Sequence, residues 1–276
     1  MSAGPDREDA FSADWLALRE PVDHRTRSEA LLAPLTAEWR SRGWRRVLDL
    51  GSGTGSNARY LAPRLPGPQR WVLVDHDPDL LERATVPPAV DEVRRIVGDL
   101  AAEGIGAVHD SDLVTGSALL DLVSEDWLGQ LVDACVSAGA GALFTTIYDG
   151  TVSWSDERPD DARVMDLVNA HQARDKGLGE ALGPRAARVG RDRFQAAGYR
   201  TWLTPSPWTL DAETVELARL LIEGWVEAAV EQSPAEKDLL EAWGRRRSAD
   251  VDEGVARVVV GHLDLLALPS SEDGGS

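Results

Sequence analysis

The sequence predicts an α/β protein: a mostly parallel sheet of seven strands flanked by helices, with an N-terminal helical cap and a helical insert near the C-terminal strands. Three observations predict it. Short β-branched runs alternate with longer amphipathic segments, as strands joined by crossover helices do. A glycine-rich turn follows the first of those runs. No linker, internal repeat or low-complexity block divides the 276 residues, and a hydrophobic fraction of 43% suffices for a sizeable core.

Taken in order, residues 1–12 are polar and read as a disordered tail. Residues 13–43 form the cap, where Trp15, Leu16 and Leu18, then Leu31, Leu32, Leu35 and Trp39, recur at helical spacing. Glu20-Pro21 is expected to break it into two helices. The main domain spans 44–269. Its strands are predicted at 46–50, 70–75, 93–97, 112–116, 141–148, 199–204 and 255–268, and its helices at 57–65, 125–138, 159–175, 190–197, 211–231 and 235–247, with a short one opening at Asp77-Pro78. There Asp suits an N-cap and Pro the first helical position. The last seven residues, SSEDGGS (270–276), read as a second tail.

Charge and composition exclude several classes. Lys plus Arg number 29 against 47 Asp plus Glu, a formal net charge of −18. A polyanion is held by clustered Lys and Arg that release its counterions, so nucleic acid and anionic membranes are poor partners. The run Arg245-Arg246-Arg247 is expected in solvent at a helix end, beside the helix dipole. Cys135 is the sole cysteine, in the apolar stretch LVDACVSAG, and reads as a buried inert thiol. Neither a signal peptide nor a membrane-length apolar run is present, which gives a cytoplasmic reading. The five histidines, at 24, 76, 109, 171 and 262, lack ligand spacing, so no metal site is expected.

VLDLGSGTGSN carries the most chemistry. A buried strand, Val47-Leu48-Asp49-Leu50, delivers Gly51-Ser52-Gly53-Thr54-Gly55 to the carboxyl edge of the sheet, where open α/β folds bind ligands. Glycines let the backbone approach a ligand closely, and a helix starting near Asn57 presents free N–H groups. A dinucleotide turn, G-x-G-x-x-G, needs its third glycine at position 56, which is Ser56; here it comes one residue early.

The G-x-G-x-G spacing resembles motif I of the class I (Rossmann-like) S-adenosylmethionine-dependent methyltransferases. VLVDHDPDLL resembles their motif II, with Asp75 at the strand end. Val97-Gly98-Asp99 is similar to the third-strand acid, and Asp112 to Ser117 to the fourth strand and its loop. The resemblance covers residues 44–150 well and the remainder in outline. It implies S-adenosylmethionine as cofactor, S-adenosylhomocysteine as product, and cofactor contacts from Asp49, Gly51, Ser52, Gly53, Gly55, Asn57, Asp75, His76, Asp99, Leu100, Gly116 and Ser117. Asp75 is expected on the ribose hydroxyls, Asp99 near the adenine amine, and Asp49 either on the methionine amine or bracing the turn. Arg27 is expected either to pair with Asp23 four residues away or to reach the cofactor carboxylate.

Methyl transfer requires an aligned acceptor, a dry site and, for a protonated acceptor, a base. His171 is the expected base because its ordinary pKa lies near working pH; Asp121 is a second, facing the acceptor. Asp23, Tyr148, Trp154, His171 and Trp208 are expected to line the acceptor pocket, the two tryptophans by stacking. Of the ten tryptophans, Trp39 and Trp225 read as core. The glycine-punctuated HQARDKGLGEALGP reads as a covering loop. The acceptor is expected to be a small molecule, neutral or cationic, belonging to specialised metabolism, and the protein a monomer or homodimer. A nicotinamide-dependent oxidoreductase and a non-catalytic S-adenosylmethionine-binding sensor or partner subunit share the same turn and remain the alternatives.

Overall fold

The computed structural model describes residues 12–175 and 177–270; the two predicted tails fall almost wholly outside them. Helix α1 (Ala13–Thr26) opens on Ser12, whose hydroxyl accepts the Trp15 amide and satisfies one N–H left free at the helix start. The helix continues through Pro21 instead of breaking at Glu20-Pro21. Pro21 is exposed, while on the packed face Val22 is buried and Arg19 grips Asp23, Nε to Oδ2 at 2.9 Å. Tertiary packing thus holds the turn that the missing N–H weakens. The break falls at Arg27-Ser28, ahead of α2 (Leu32–Arg42).

Then follow β1 (Arg46–Leu50), α3 (Ser56–Leu61), β2 (Arg70–Asp75), α4 (Pro78–Arg83), β3 (Glu92–Val97), a tight helical passage ending in α5 (Ile105–Ala107), β4 (Leu113–Ser117), α6 (Glu125–Ala138) and β5 (Gly141–Trp154). The second half comprises α7 (Pro159–Gln172), α8 (Ala186–Ala196), β6 (Tyr199–Pro205), β7 (Trp208–Leu210), α9 (Val215–Gln232), α10 (Lys237–Asp252) and β8 (Val258–Pro269). The sheet order is β3-β2-β1-β4-β5-β8-β6, with β7 also on β8. Strands β1 to β5 pair in parallel and β8 pairs antiparallel with β5, β6 and β7. In β1, Val47 to Leu50 are all buried, as a central strand covered on both faces requires.

Two differences from the sequence reading matter for the site. The described sheet has eight strands, because Trp208–Leu210, read as loop, is a strand too short to display alternation. Strand β5 runs past its predicted end at Tyr148 to Trp154, and shifts of register after Phe144 and Tyr148 mark the bulges that interrupt its pattern. Smaller shifts affect helix ends: α3 stops at Leu61, α7 at Gln172, α8 begins at Ala186 and α10 extends to Asp252.

Three apolar clusters hold the molecule together. One side of the sheet packs against α6 and α8 through Leu120, Leu128, Leu131 and Phe194. The other packs against α2, α3 and α4 through Leu35, Trp39, Leu61 and Leu81. The third joins α1, α7, α9 and α10 to the outer reaches of β5, β7 and β8. Cys135 is buried, and burial pushes its thiol up to about 12.

The third cluster overturns the reading of Arg245-Arg246-Arg247. Arg247 lies within α10 and is fully buried, its guanidinium bonded to Asp161 and Asp156 O and stacked 4.3 Å from the Trp154 ring centroid. Trp243 Nε1 donates to the same Asp161 at 2.8 Å. Helical periodicity turns Arg247 inward while its two neighbours stay exposed. No helix among the described residues is long and apolar enough to cross a membrane.

Candidate active site

Two hollows meet at the carboxyl edge of the sheet. The first, a cleft, is lined by the glycine turn (Gly51 to Thr54), by Ser56 and Asn57 at the start of α3, by Ser117 at the end of β4, and by Leu16, Arg19 and Asp23 of α1. The turn is fastened to β2: Ser52 N donates to Val74 O at 3.1 Å, and Gly53 N to Asp75 Oδ2 at 2.7 Å. Asp77 N reaches the other oxygen of Asp75 at 3.1 Å. The acid predicted at the end of β2 is therefore buried and fixed beside the turn.

Beneath the cleft lies a charged layer centred on Asn57. Arg27 Nη1 donates to Asn57 Oδ1, and Asn57 Nδ2 donates to Asp49 Oδ1 at 2.6 Å and Thr115 Oγ1 at 3.0 Å. Arg27 does not pair with Asp23; Asp23 takes Arg19 instead, at the equivalent spacing one turn earlier. Arg27 Nε and Nη2 and Asp49 Oδ2 are buried and have no hydrogen-bond partner among the described residues. Burial lowers the Arg27 guanidinium from its ordinary value. It also pushes Asp49 up to about 7, against the Asn57 bond and the Arg27 charge.

The other expected cofactor residues are placed differently. Gly55 turns away from the cleft with φ +84°, where an added Cβ would lie 2.6 Å from Thr85 O, so this glycine serves a close backbone approach. Gly116 is packed among Leu119, Phe144 and Leu50 O. His76 is exposed with Nδ1 3.4 Å from Asp75 Oδ1. Leu100 packs against the first cluster, and Asp99, exposed, caps the turn after β3 by accepting the Ala101 amide. None of these five lines the cleft.

The second hollow is a cavity of about 150 Å³ walled by Trp15, Tyr148, Trp208 and Trp225, with Arg19, Asp121, Gln172 and His262 among its polar lining. Arg19 lines both hollows. At their junction Ala118 and Thr146 hold φ near +50°, a left-handed backbone unusual for residues with a Cβ. Ala118 N donates to Thr145 O, and Thr146 N to the buried carboxylate of Asp264 on β8, both at 2.9 Å. Asp264 also accepts Ser28 N at 2.9 Å and Ser206 Oγ at 2.7 Å, tying the cap to the sheet.

Of the residues expected around the acceptor, the structure brings Asp121, Tyr148 and Trp208 to this cavity and places Asp23 behind it, accepting Trp208 Nε1 at 3.1 Å. His171 is elsewhere: its Nε2 lies 3.0 Å from Glu231 Oε2, joining α7 to α9 at the surface, so it is not carried forward as a base. Trp154 is core, packed edge-on against Trp225 and Trp243 in the third cluster. The segment after α7 does not cover the cavity. Leu182 N donates to Val123 O at 2.8 Å and Ala181 is buried, so the chain there is pinned beside α6, with Lys176 outside the described residues.

Sequence reasoning missed Trp15, Arg19, Trp225, His262 and Asp264. The last two had a readable signal: a histidine and an aspartate two apart in the apolar run VVVGHLDLLAL point to the same face of a strand. Arg19 and Trp15 gave none, because only the docking of α1 onto the sheet brings them to the site.

Residues 47–138, from β1 through α6, match the family model described as a methyltransferase domain. That segment, a third of the chain, is similar to a methyltransferase domain. No curated protein matches the chain. Among solved structures, a cyclopropane-fatty-acyl-phospholipid synthase-like protein from Lactobacillus casei aligns at TM-score 0.54 and 14% identity, covering 92% of each chain, and this likeness shows the fold. A methyltransferase from Geobacter sulfurreducens, in complex with S-adenosylhomocysteine, aligns at TM-score 0.44 and 16% identity, covering 94% of this chain and 99% of that one. A cyclopropane synthase from Mycobacterium tuberculosis aligns at 0.45 and 12%, covering 93% and 94%. The matched segment thus contains the whole glycine turn, the layer-forming Asp49 and Asn57, and Asp121. Arg19, Arg27 and His262 come to it from flanking elements.

Proposed function

We propose that the chain transfers the methyl group of S-adenosylmethionine to a small molecule held in the aromatic cavity. The observation that carries this reading is the layer beneath the glycine turn, where a buried arginine and a buried aspartate each keep unpartnered atoms on either side of Asn57. Orphaned charges of both signs are costly in an empty protein. They suit a ligand end that carries a carboxylate and an ammonium together, as the methionine portion of S-adenosylmethionine does. Asp75 supplies the remaining match, a buried acid at the edge of β2 suited to ribose hydroxyls.

When bound, S-adenosylmethionine supplies an electrophilic methyl on a sulfonium. The residues of the chain do the rest: Asp75 and the turn fix the ribose end, Arg27, Asn57 and Asp49 answer the charges of the amino-acid end, and Trp15, Tyr148, Trp208 and Trp225 exclude water around the acceptor. The modest cavity favours a small acceptor over a macromolecule. Calorimetry with S-adenosylmethionine, S-adenosylhomocysteine and NAD tests the reading. Binding of the first two with none of NAD supports it; binding of NAD alone overturns it.

Asp49 adds a pH signature. With its carboxyl at about 7, it is mostly protonated at pH 6. A ligand whose ammonium meets Asp49 favours the ionised form, so binding releases a proton, and affinity should rise with pH by up to about tenfold per unit below 7 before levelling off. The ligand-free protein runs the other way. Because the folded value is raised above the ordinary carboxylate value, the stabilising contribution is full below the ordinary value and is lost as pH rises through about 7. Calorimetric titrations with S-adenosylhomocysteine from pH 5.5 to 8 should show the slope in the wild-type protein and a flat profile in Asp49→Asn.

A further inference from the structure

The aromatic cavity contains more chemistry than enclosure requires. Arg19 is held by Asp23 through two bonds, Nε to Oδ2 at 2.9 Å and Nη2 to Oδ1 at 3.3 Å, and its guanidinium carbon lies 5.1 Å from the Trp208 ring centroid. The Tyr148 hydroxyl donates to Asn169 Oδ1 at 3.0 Å. Asp121 Oδ1 is buried and has no partner among the described residues. His262 Nδ1 lies 3.1 Å from Val260 O, a group that only accepts, so Nδ1 carries the ring proton and Nε2 keeps a lone pair. His262 itself is buried, its ring centroid 4.8 Å from that of Trp208 and 6.2 Å from that of Tyr148.

Of the polar groups in this lining, Asp121 Oδ1 and His262 Nε2 are left to accept and the buried Trp15 Nε1 is left to donate, with no partner among the described residues. A ligand that satisfies them must therefore bring hydrogens to donate, and a lone pair to accept, on a body that stacks against tryptophan. A cation is poorly suited, because Arg19 already covers the face of Trp208 that would receive it. We propose that the cavity binds a flat aromatic acceptor bearing two protic groups, ring-borne hydroxyl or amine, that Asp121 takes the proton from the group to be methylated, and that His262 Nε2 accepts a hydrogen bond from the second. The inference rests on the methyltransferase reading and deepens it.

The division of labour follows from the surroundings. The charged and titratable groups lining the cavity with Asp121 are Arg19 from α1, Tyr148 from β5 and His262 from β8; Gln172 of α7 is neutral, and α9 presents Leu221 and Trp225. Burial pushes Asp121 up to about 6, with its own backbone N–H and Arg19 acting the other way, so it is ionised at neutral pH yet basic enough to accept a proton. Burial, then Arg19, holds His262 down at about 3, so it stays neutral and orients the ring without carrying charge. The step balances. For a hydroxyl, the O–H bond breaks toward Asp121 and the electron pair left on oxygen forms the new bond to the methyl carbon; for an amine, the nitrogen lone pair forms that bond and the N–H proton then passes to Asp121; in both, the carbon–sulfur pair remains on sulfur as the thioether.

The test uses the full chain saturated with S-adenosylhomocysteine and three chromophores: 4-nitrocatechol, 4-nitrophenol and 4-nitroanisole. Nitrocatechol should bind most tightly and nitroanisole at least tenfold more weakly, with the visible band of bound nitrocatechol reporting how far its proton has moved toward Asp121. Asp121→Asn should weaken nitrocatechol at least tenfold and remove the pH dependence of that band. His262→Phe should weaken nitrocatechol but leave nitrophenol within about threefold, and His171→Ala should change neither. A diamino analogue, 4-nitro-1,2-phenylenediamine, compared with nitrocatechol, distinguishes amine from hydroxyl acceptors. Equal binding of nitroanisole and nitrocatechol, or an unchanged band in Asp121→Asn with normal S-adenosylhomocysteine affinity, overturns this proposal alone. If the wild-type protein binds no S-adenosylhomocysteine, the methyltransferase reading falls and takes the proposal with it.

Discussion

Asp75→Ala is expected to weaken S-adenosylmethionine binding by about 100-fold. A buried carboxylate that meets two ribose hydroxyls would make charge-assisted bonds of roughly 1.5–3 kcal/mol each, so losing the pair removes about 3 kcal/mol or more, which covers the roughly 2.7 kcal/mol of a 100-fold change. The same carboxylate holds Gly53 N at 2.7 Å and Asp77 N at 3.1 Å, so a change confined to the turn must be told from lost contact with the ligand. Asp75→Asn separates them. It keeps an oxygen for one of those amides and is expected to preserve the unfolding midpoint within a few degrees while still weakening binding roughly tenfold. Calorimetry paired with thermal unfolding measures both. If Asp75→Ala binds within threefold of the wild-type protein, the acid has no part in holding the ligand.

Asp161→Ala carries the largest expected cost to the fold itself. Arg247 is fully buried and Asp161 is its main counter-ion, while Trp243 donates to the same carboxylate. Removing the acid strands a desolvated guanidinium and an indole N–H together, a change of about 3–5 kcal/mol by analogy with other broken buried pairs. For a chain of this size that corresponds to a midpoint lowered by roughly 10 °C. Burial works to raise the Asp161 pKa, but the bonds from Arg247 and Trp243 outweigh it and hold the group below its ordinary value. Its stabilising contribution is therefore present above the ordinary carboxylate range and lost as pH falls through the lowered value. Replacing both ends, Asp161→Leu with Arg247→Met, should recover part of the loss; recovery is absent if the pair acts only through backbone geometry.

What was legible in the sequence follows from where the information lies. The strand–turn–helix around Gly51 to Asn57 and the acid at Asp75 are local, since backbone conformation and one register step define them, and the structure places them beside one cleft. Asp121, Tyr148 and Trp208 were also reached, because Asp121 follows the end of β4, Tyr148 lies at the bulge where the parallel part of β5 has ended, and Trp208 opens β7. His171 misled because a suitable pKa says nothing of direction: one helix face separates it from the cavity and turns it to Glu231. Trp154 misled because the bulges in β5 lengthen a strand whose sequence had lost its alternation. Arg247 was hidden by its own chemistry. It is polar in a setting where only the fold reveals what buries it.

Arg19 has one more consequence. Because its side chain borders the cleft and the cavity at once, α1 acts as a party wall between two rooms, and whatever pushes on one side is felt on the other. A ligand in either room that shifts Arg19 is expected to alter affinity in its neighbour, and thermodynamic reciprocity would make the factor the same in both directions. The expected result is that the affinity of the first ligand measured alone differs from the affinity measured with the second present.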